Sequence, residues 1–342
     1  MNASYPLSVL PGMFSHEPGI QIGTQIPTDA PDDALRFAAQ LGVRWVMTSV
    51  KAGEEHSAQA YRDVVRRFEA YGLSVYRLAN DRCHNMDAVT LGLPDRDEKI
   101  DEYLAYIRNL AAAGIRYSTY AHMANGIWSS GRTAIRGGAS ARTFRREDAR
   151  GRWASTMYDG PLTHGRRYSD DELWSNYEYF IRKVAPVAEQ EGVYIGIHPD
   201  DPPVYSLGGI PRCIFGSFDG YKRALEIADS PNIGVCLCVG CWLEGGTLMG
   251  RDVFDTIRYF GERRKIFKVH FRNVTEPLPA GFTETFLDDG FMDMARVIRA
   301  LAEVGFDGAV ISDHRPEMVG GNYAAEAFAI GFIRGLIRTA GV

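Results

Sequence analysis

Short apolar runs rich in Ile, Val and aromatic residues alternate with amphipathic stretches along almost the whole chain, the pattern of a parallel sheet covered by helices. Eight such runs are predicted as strands, over 20–23, 43–49, 73–78, 115–121, 194–198, 233–238, 266–271 and 308–313. Between them, apolar residues recur at three- and four-residue spacing, which predicts helices over 97–113, 170–191 and 292–304 among others. Glycine stands just before several strands (Gly42, Gly72, Gly114, Gly192 and Gly305), as expected where a helix stops in a left-handed cap. Eight such units predict an α/β fold, one (β/α)8 barrel occupying 1–342 as a single domain. A doubly wound sheet alternates in the same way, but no Gly-rich phosphate turn follows the first strand.

The longest interruption, 123–169, carries Gly, Ser, Arg and Trp without clear periodicity. A loop of that length in a compact domain is usually functional or disordered. It follows the fourth strand and so falls on the rim where barrel active sites are built, and it is read as a lid or an oligomer contact.

Composition narrows the function classes. The chain has 342 residues, 45% hydrophobic and 24% charged, which is ordinary for a globular protein and ample for one large core. A net charge of −5 leaves no electrostatic footprint for nucleic acid or an anionic membrane, so a small-molecule ligand is expected, with any anion met by local positive charge. The N-terminal stretch lacks a basic, apolar and small-residue leader pattern, and a cytoplasmic location is expected. Three of the five cysteines, Cys236, Cys238 and Cys241, crowd around one strand end, where neighbouring residues are poorly placed to bridge each other; reduced thiols are expected.

Chemistry-bearing residues fall at the ends of strands five to eight. His198 ends GVYIGIH, Cys238 ends IGVCLC, His270 ends IFKVH and Asp313 ends AVISD. A lone His or Cys at a strand end is more often a packed core residue, but a barrel would bring all four to one rim, and imidazole, thiolate and carboxylate together suit a borderline divalent ion. Cys236 shares the face of Cys238 but lies one layer deeper, as a small buried hydrophobe. His84, after strand three, and His122, after strand four, also fall on the rim as substrate contacts or ligands.

Longer segments then become recognisable. LGLPDRDEKIDEYLAYIRNLAAAGIRY at 91–117, IHPDDPPVYSLGGIPR at 197–212, the turn that opens at Cys238, VHFRNV at 269–274, DDGFMDM at 288–294 and the Asp313-His314 pair resemble mannonate dehydratases. The likeness runs from about Ala88 to the C-terminus, is thin over 123–169, and holds only in element order for the first eighty residues. It implies a xylose-isomerase-like barrel and a hydro-lyase that converts D-mannonate to 2-keto-3-deoxy-D-gluconate. It also implies a divalent metal, usually manganese, held by His198, Cys238, His270 and Asp313; thiolate ligation leaves zinc, iron(II) or cobalt open. The reaction takes a proton from the carbon beside a carboxylate while a neighbouring hydroxyl departs. A metal on the carboxylate and adjacent hydroxyl stabilises the developing charge.

The resemblance further makes His314 the proton-transfer histidine and aligns Tyr323 with the family's acid–base tyrosine. Arg272 and Arg212 are read as binders of the carboxylate or a hydroxyl, since guanidinium forks pair with planar anions. Asp200 and Asp201 are read as orienting a histidine ligand or a substrate hydroxyl, or as a solvated or capping pair.

After strand four, Tyr120-Ala121-His122-Met123 stands where the family has an Asn-containing stretch, and four further positions depart from its pattern: Ile127 where an Asp precedes Trp, Leu287 for a histidine, Ser312 for a Pro and Arg315 for a Gly. Lost polar groups change which hydroxyls are satisfied. Alternatives therefore stand beside the dehydratase: a related lyase, isomerase or epimerase acting on another sugar acid, keto sugar or glycoside, or a non-catalytic barrel that binds metal or sugar. The oligomeric state, including a homo-oligomer, is left open by the residues.

Overall fold

Each of the eight apolar runs forms a strand, and all but the first are buried over most of both faces, as all-parallel sheets require. The structure, a computed structural model, describes residues 5–6, 8–11, 15–16 and 19–341, so most of the stretch read for a leader lies outside the described residues. The strands are β1 Gln21–Gln25, β2 Trp45–Val50, β3 Ser74–Asn80, β4 Tyr117–Ala121, β5 Tyr194–His198, β6 Ile233–Cys238, β7 Ile266–His270 and β8 Ala309–Ile311. The helices that follow them in turn are α1 Asp32–Gln40, α2 Ala58–Glu69, α3 Arg96–Ala112, α4 Asp170–Glu191, α5 Phe218–Ala228, α6 Val253–Glu262, α7 Met294–Glu303 and α8 Gly321–Thr339.

The sheet order is β3-β2-β1-β8-β7-β6-β5-β4, all parallel, so the fold is a (β/α)8 barrel whose closing seam lies between β3 and β4. There the ladder is reduced to one bridge between Asn85 and Ala121, and the Ser118 and Tyr106 hydroxyls donate to Leu78 O at 3.2 and 2.5 Å in place of strand amides. Every strand bound falls within two residues of its expected place; β8 stops at Ile311, so Asp313 stands on the loop beyond it. The five glycines before strands all have positive φ, between 62° and 77°. Among the described residues, no helix is long and apolar enough to cross a membrane.

Two irregularities aim side chains into the barrel. β2 and β3 slip register so that Val46 pairs with Val75 but Met47 with Arg77, leaving Tyr76 as an extra residue. β6 and β7 slip so that Val235 pairs with Ile266 but Cys236 with Lys268, leaving Phe267 extra. Such bulges re-aim the residues that follow them. Tyr76 donates its hydroxyl to Phe267 O at 2.5 Å, and the rings of Trp45, Tyr76, Tyr117 and Phe267 run in contact across the lower end of the barrel.

Segment 123–169, read as an insertion without clear periodicity, carries short antiparallel strands. Strand Ile127–Ser129 pairs with Arg150–Trp153, which pairs with Thr156–Tyr158. Strand Ser140–Phe144 pairs on one side with Arg132–Ala134 and on the other with Phe282–Thr285 from the loop after β7. These strands are too short, and Ser140–Phe144 too thoroughly buried, to show the one-sided alternation that marks a strand in sequence.

The chain leaves this segment through a capping box, in which Ser169 Oγ accepts from Glu172 N and the Glu172 carboxylate accepts from Ser169 N. Replacing Ser169 by Ala is expected to lower the stability of the fold by about 1 kcal/mol in urea titration. A loss below the error of the measurement would show that packing alone fixes the start of α4.

Candidate metal and substrate site

The ends of β5 to β8 bring His198, Cys238, His270 and Asp313 together. Ligating atoms of Cys238, His270 and Asp313 all lie within 4.8 Å of one another, and His198 Nε2 is 3.0 Å from His270 Nδ1. Cys238 faces His270 directly across the β6–β7 ladder. His198 donates from Nδ1 to Pro199 O at 2.7 Å, which leaves its Nε2 as an acceptor toward the cluster. Burial, then the charge of Lys268, holds His270 well below the usual imidazole range, so it is neutral and able to ligate.

Burial alone would raise the Cys238 thiol. A hydrogen bond from Cys241 and the charge of Arg272 outweigh it and favour thiolate. Cys241, in the turn that follows, has its own thiol pushed up by burial and by Cys238. His270 Nε2 and Asp313 Oδ1 are buried without a hydrogen-bonding partner among the described residues. A neutral imidazole, a thiolate and a carboxylate with orphaned donor atoms fit a borderline divalent cation.

Two buried arginines hold the acids around this cluster. Arg272 contacts Asp313 at 2.8 Å, Glu244 at 2.8 Å, Asp201 at 3.1 Å and Glu284 at 3.5 Å. Arg142 contacts Asp201 at 2.6 Å, Glu284 at 2.7 Å and Glu244 at 3.0 Å. Glu244 is pushed up by burial and by Asp201, whereas in Glu284 the charges of Arg142 and His314 overcome burial and hold the carboxylate far below its usual range.

His314 Nδ1 lies 2.7 Å from both Glu284 Oε1 and Arg272 Nη1, and one nitrogen cannot donate to the first and accept from the second. Because Glu284 is ionised, the Nδ1–H donates to it; against the opposing cost of burial, Glu284 raises the imidazole pKa.

A pocket of about 240 Å³ opens onto these groups, with His84, His198, Asp201, His270, Asp313 and His314 in its wall. Its remaining lining includes Arg77, Lys268, Thr119, Met123, Ile127 and Trp153. A wider hollow of about 1020 Å³ lies on the inserted segment around Arg150 and Arg152 and contains none of the strand-end residues.

Several expected contacts stand elsewhere. His122 lies among Tyr177, Phe180 and Phe215 with Nδ1 on the Tyr120 hydroxyl at 2.7 Å, and burial pushes it down to about 3. It shares the outward parity of Tyr120, whereas Thr119, Ala121 and Met123 face the pocket. Arg212 is not in the pocket wall; it donates to Pro202 O at 3.0 Å and Gly126 O at 2.7 Å and ties the loop after β5 to the insertion. Arg272 is only 1% exposed and is not in the pocket wall; its Nη1 and Nη2 are engaged by the acids, and its Nε is buried without a partner among the described residues. Asp200 is buried beside Arg212 and His198 and pushed up to about 6 by burial; Asp201, not Asp200, reaches the pocket. Tyr323, 47% exposed, packs on Phe37 and lines a neighbouring cavity that shares only Gln25 and Asp313 with this pocket.

His84 does line the pocket, stacked 5.4 Å from Trp153 with Nδ1 on Thr119 O at 2.8 Å. Glu284, Glu244, Arg142, Lys268 and Arg77 also belong to the site, although none of them stands at a strand end. A lysine two residues before His270 in an apolar strand was a usable signal for Lys268; Arg142 and Glu284 meet only through the β pairing of two loops.

A family model described as D-mannonate dehydratase (UxuA) matches residues 33–157 and 161–342. The match begins well before Ala88 and includes most of the inserted segment, wider than the likeness read from motifs. The mannonate dehydratase of Streptococcus uberis is 32% identical over 292 residues, spanning 80% of this chain and 82% of that protein. That of Streptococcus pneumoniae is 30% identical over 293 residues, spanning 80% and 78%. Among solved structures, a mannonate dehydratase from Streptococcus suis serotype 2 superposes with a TM-score of 0.81 at 26% identity over 94% of each chain. An L-ribulose 3-epimerase, TM-score 0.60 at 15% identity over 94% of this chain and 96% of that one, shares the fold alone.

Arg142→Met leaves Asp201, Glu244 and Glu284 short of one guanidinium in a buried setting. It is expected to cost about 3–5 kcal/mol in denaturant unfolding, the range for breaking a buried pair. A loss under about 1 kcal/mol would mean that Arg272 alone balances the three acids.

Proposed function

This chain belongs to the D-mannonate dehydratase family, and we propose that it removes water from D-mannonate to give 2-keto-3-deoxy-D-gluconate. The proton on C2 is taken, the C3 hydroxyl leaves as water, and the resulting enol becomes the 2-keto acid. The observation that carries the reading is the meeting of His198, Cys238, His270 and Asp313, with His270 Nε2 and Asp313 Oδ1 lacking partners, beside a histidine held by an ionised glutamate.

His198, Cys238, His270 and Asp313 would hold a divalent cation. When bound, the ion supplies positive charge opposite the negative charge that develops beside the substrate carboxylate. Manganese is the proposed ion, and the Cys238 thiolate is the feature by which zinc, iron(II) or cobalt would compete. His314 holds or moves the reacting proton at Nε2, since Glu284 occupies Nδ1; such a positioned imidazole contributes roughly 10²–10⁴-fold. Asp201 and Arg272 fix the surrounding carboxylates and so position Asp313. The five cysteines are all free thiols, which suits a reducing compartment, and we place the enzyme in the cytoplasm.

With metal-loaded protein and D-mannonate, release of a 2-keto-3-deoxy acid is expected. His270→Ala and Asp313→Ala should lose the metal on elemental analysis and with it turnover. His314→Asn should keep the metal and lose roughly 10²–10⁴ of the rate. Product from a different aldonate but none from D-mannonate would reject the substrate, and a wild-type rate in His314→Asn would reject the proton-transfer role.

A further inference from the structure

The two arginines that sequence pointed to as anion binders are committed elsewhere, and two other cations face the pocket unmatched. Lys268 on β7 is 2% exposed, lines the pocket, and makes no hydrogen bond or ion pair among the described residues. Burial disfavours its charged form and Arg77 repels it, against longer-range attraction from Cys236, Asp313 and Cys238. Arg77 on β3 lines the same pocket; its Nη1 donates to Thr48 O at 3.1 Å, its Nε is buried without a partner, and among the described residues no carboxylate lies within ion-pair distance, Asp81 acting on it only at longer range. The nearby acids Asp201, Glu244, Glu284 and Asp313 are already engaged by Arg142 and Arg272.

The backbone is shaped to deliver these two cations. Each directly follows an extra residue at a register slip, Tyr76 before Arg77 and Phe267 before Lys268, and the two slips are joined by the Tyr76 hydroxyl on Phe267 O. Bulges in parallel ladders are rare and concentrate beside functional sites. A buried cation without an ion-pair partner is costly, so a cavity that keeps Lys268 in that state, with the half-buried Arg77 beside it, is built for an anion.

We propose that Lys268 and Arg77 form the subsite for the carboxylate of the substrate, and that this pair selects sugar acids over neutral sugars. The inference rests on the sugar-acid reading above. It places the carboxylate deep in the barrel, beneath His270, away from Arg212 and Arg272.

The test uses metal-loaded full-length protein with Lys268→Met, Arg77→Met and Lys268→Arg. D-mannonate and neutral D-mannitol are the probes, with affinity read by calorimetry, KM and kcat by product assay, and unfolding followed without ligand. In Lys268→Met the Kd and KM for D-mannonate should rise roughly ten- to hundredfold, as for loss of a hydrogen bond to a charged group. Metal content and D-mannitol affinity should hold, and the unfolding midpoint should stay or rise, because an unpaired buried charge has been removed. Lys268→Arg should recover part of the affinity, and Arg77→Met should weaken the acid in the same direction.

Acid affinity within twofold of wild type, or a fall in kcat at constant KM, overturns the subsite. Should wild type neither bind nor dehydrate D-mannonate, the proposed substrate fails by itself, and the comparison moves to D-gluconate, D-galactonate and D-glucuronate. An acid that binds wild type and weakens at least tenfold in Lys268→Met sustains the subsite; binding of neutral sugars alone, or of no sugar acid, overturns it.

Discussion

The guanidinium of Arg272 is the interaction on which the site depends. Four acidic side chains and a cysteine pair converge at the ends of the last strands, and like charges so close cannot all remain ionised and buried without an opposite charge among them. A planar fork with five donors can touch all four acids at once; a lysine, with one compact charge, could not. The geometry is tight. A Cβ on Gly240 would lie 2.2 Å from Arg272 Nε, so the turn after Cys238 needs a residue without a side chain at that place. By holding Asp313 Oδ2, Arg272 leaves Oδ1 free on the cluster side.

The inserted segment takes part in this balance. Arg142 comes from strand Ser140–Phe144 and Glu284 from strand Phe282–Thr285, and the ladder between those strands sets their ion pair. Ile127 and Trp153, from the same segment, stand in the pocket wall, and Trp153 stacks on His84. The insertion therefore forms part of the wall of the site. Order in that segment and charge balance around Asp201 are physically coupled, because Arg142 serves both.

Much of the fold was legible because parallel barrel strands are continuous apolar runs and their helices carry a clear period, as in α4, whose expected span 170–191 is the observed one. The strand-end quartet was legible for a related reason: position at the end of a strand fixes which rim a side chain reaches. What depended on non-local geometry was not. Arg77 and Lys268 face inward through register slips that no single strand announces. Arg272 and Arg212 carry the residue type of an anion binder, but whether their donors are free depends on acids and carbonyls contributed by other loops. His122 was misread for a simpler reason: its parity with Tyr120 turns it outward toward α4.

The departures from the family pattern bear on substrate only through the ones that face it. Leu287 is buried in the core, Ser312 donates to His314 O at 3.5 Å, and Arg315 pairs with Glu326 at 2.7 Å while donating to Ser312 O at 2.8 Å. None of these three lines the pocket; Ile127 does. Arg315 and Ser312 instead brace the loop that carries Asp313 and His314, so they act on His314 through its backbone. The loop that carries Asp313 and His314 thus has its own supports, and the departures that reach the pocket are the apolar side chains of Ala121, Met123 and Ile127 in a wall otherwise rich in polar groups. A difference in substrate preference from relatives with an acid at that place would then arise at the hydroxyl nearest Ile127, where a hydrogen-bonding group has given way to a surface that cannot satisfy one.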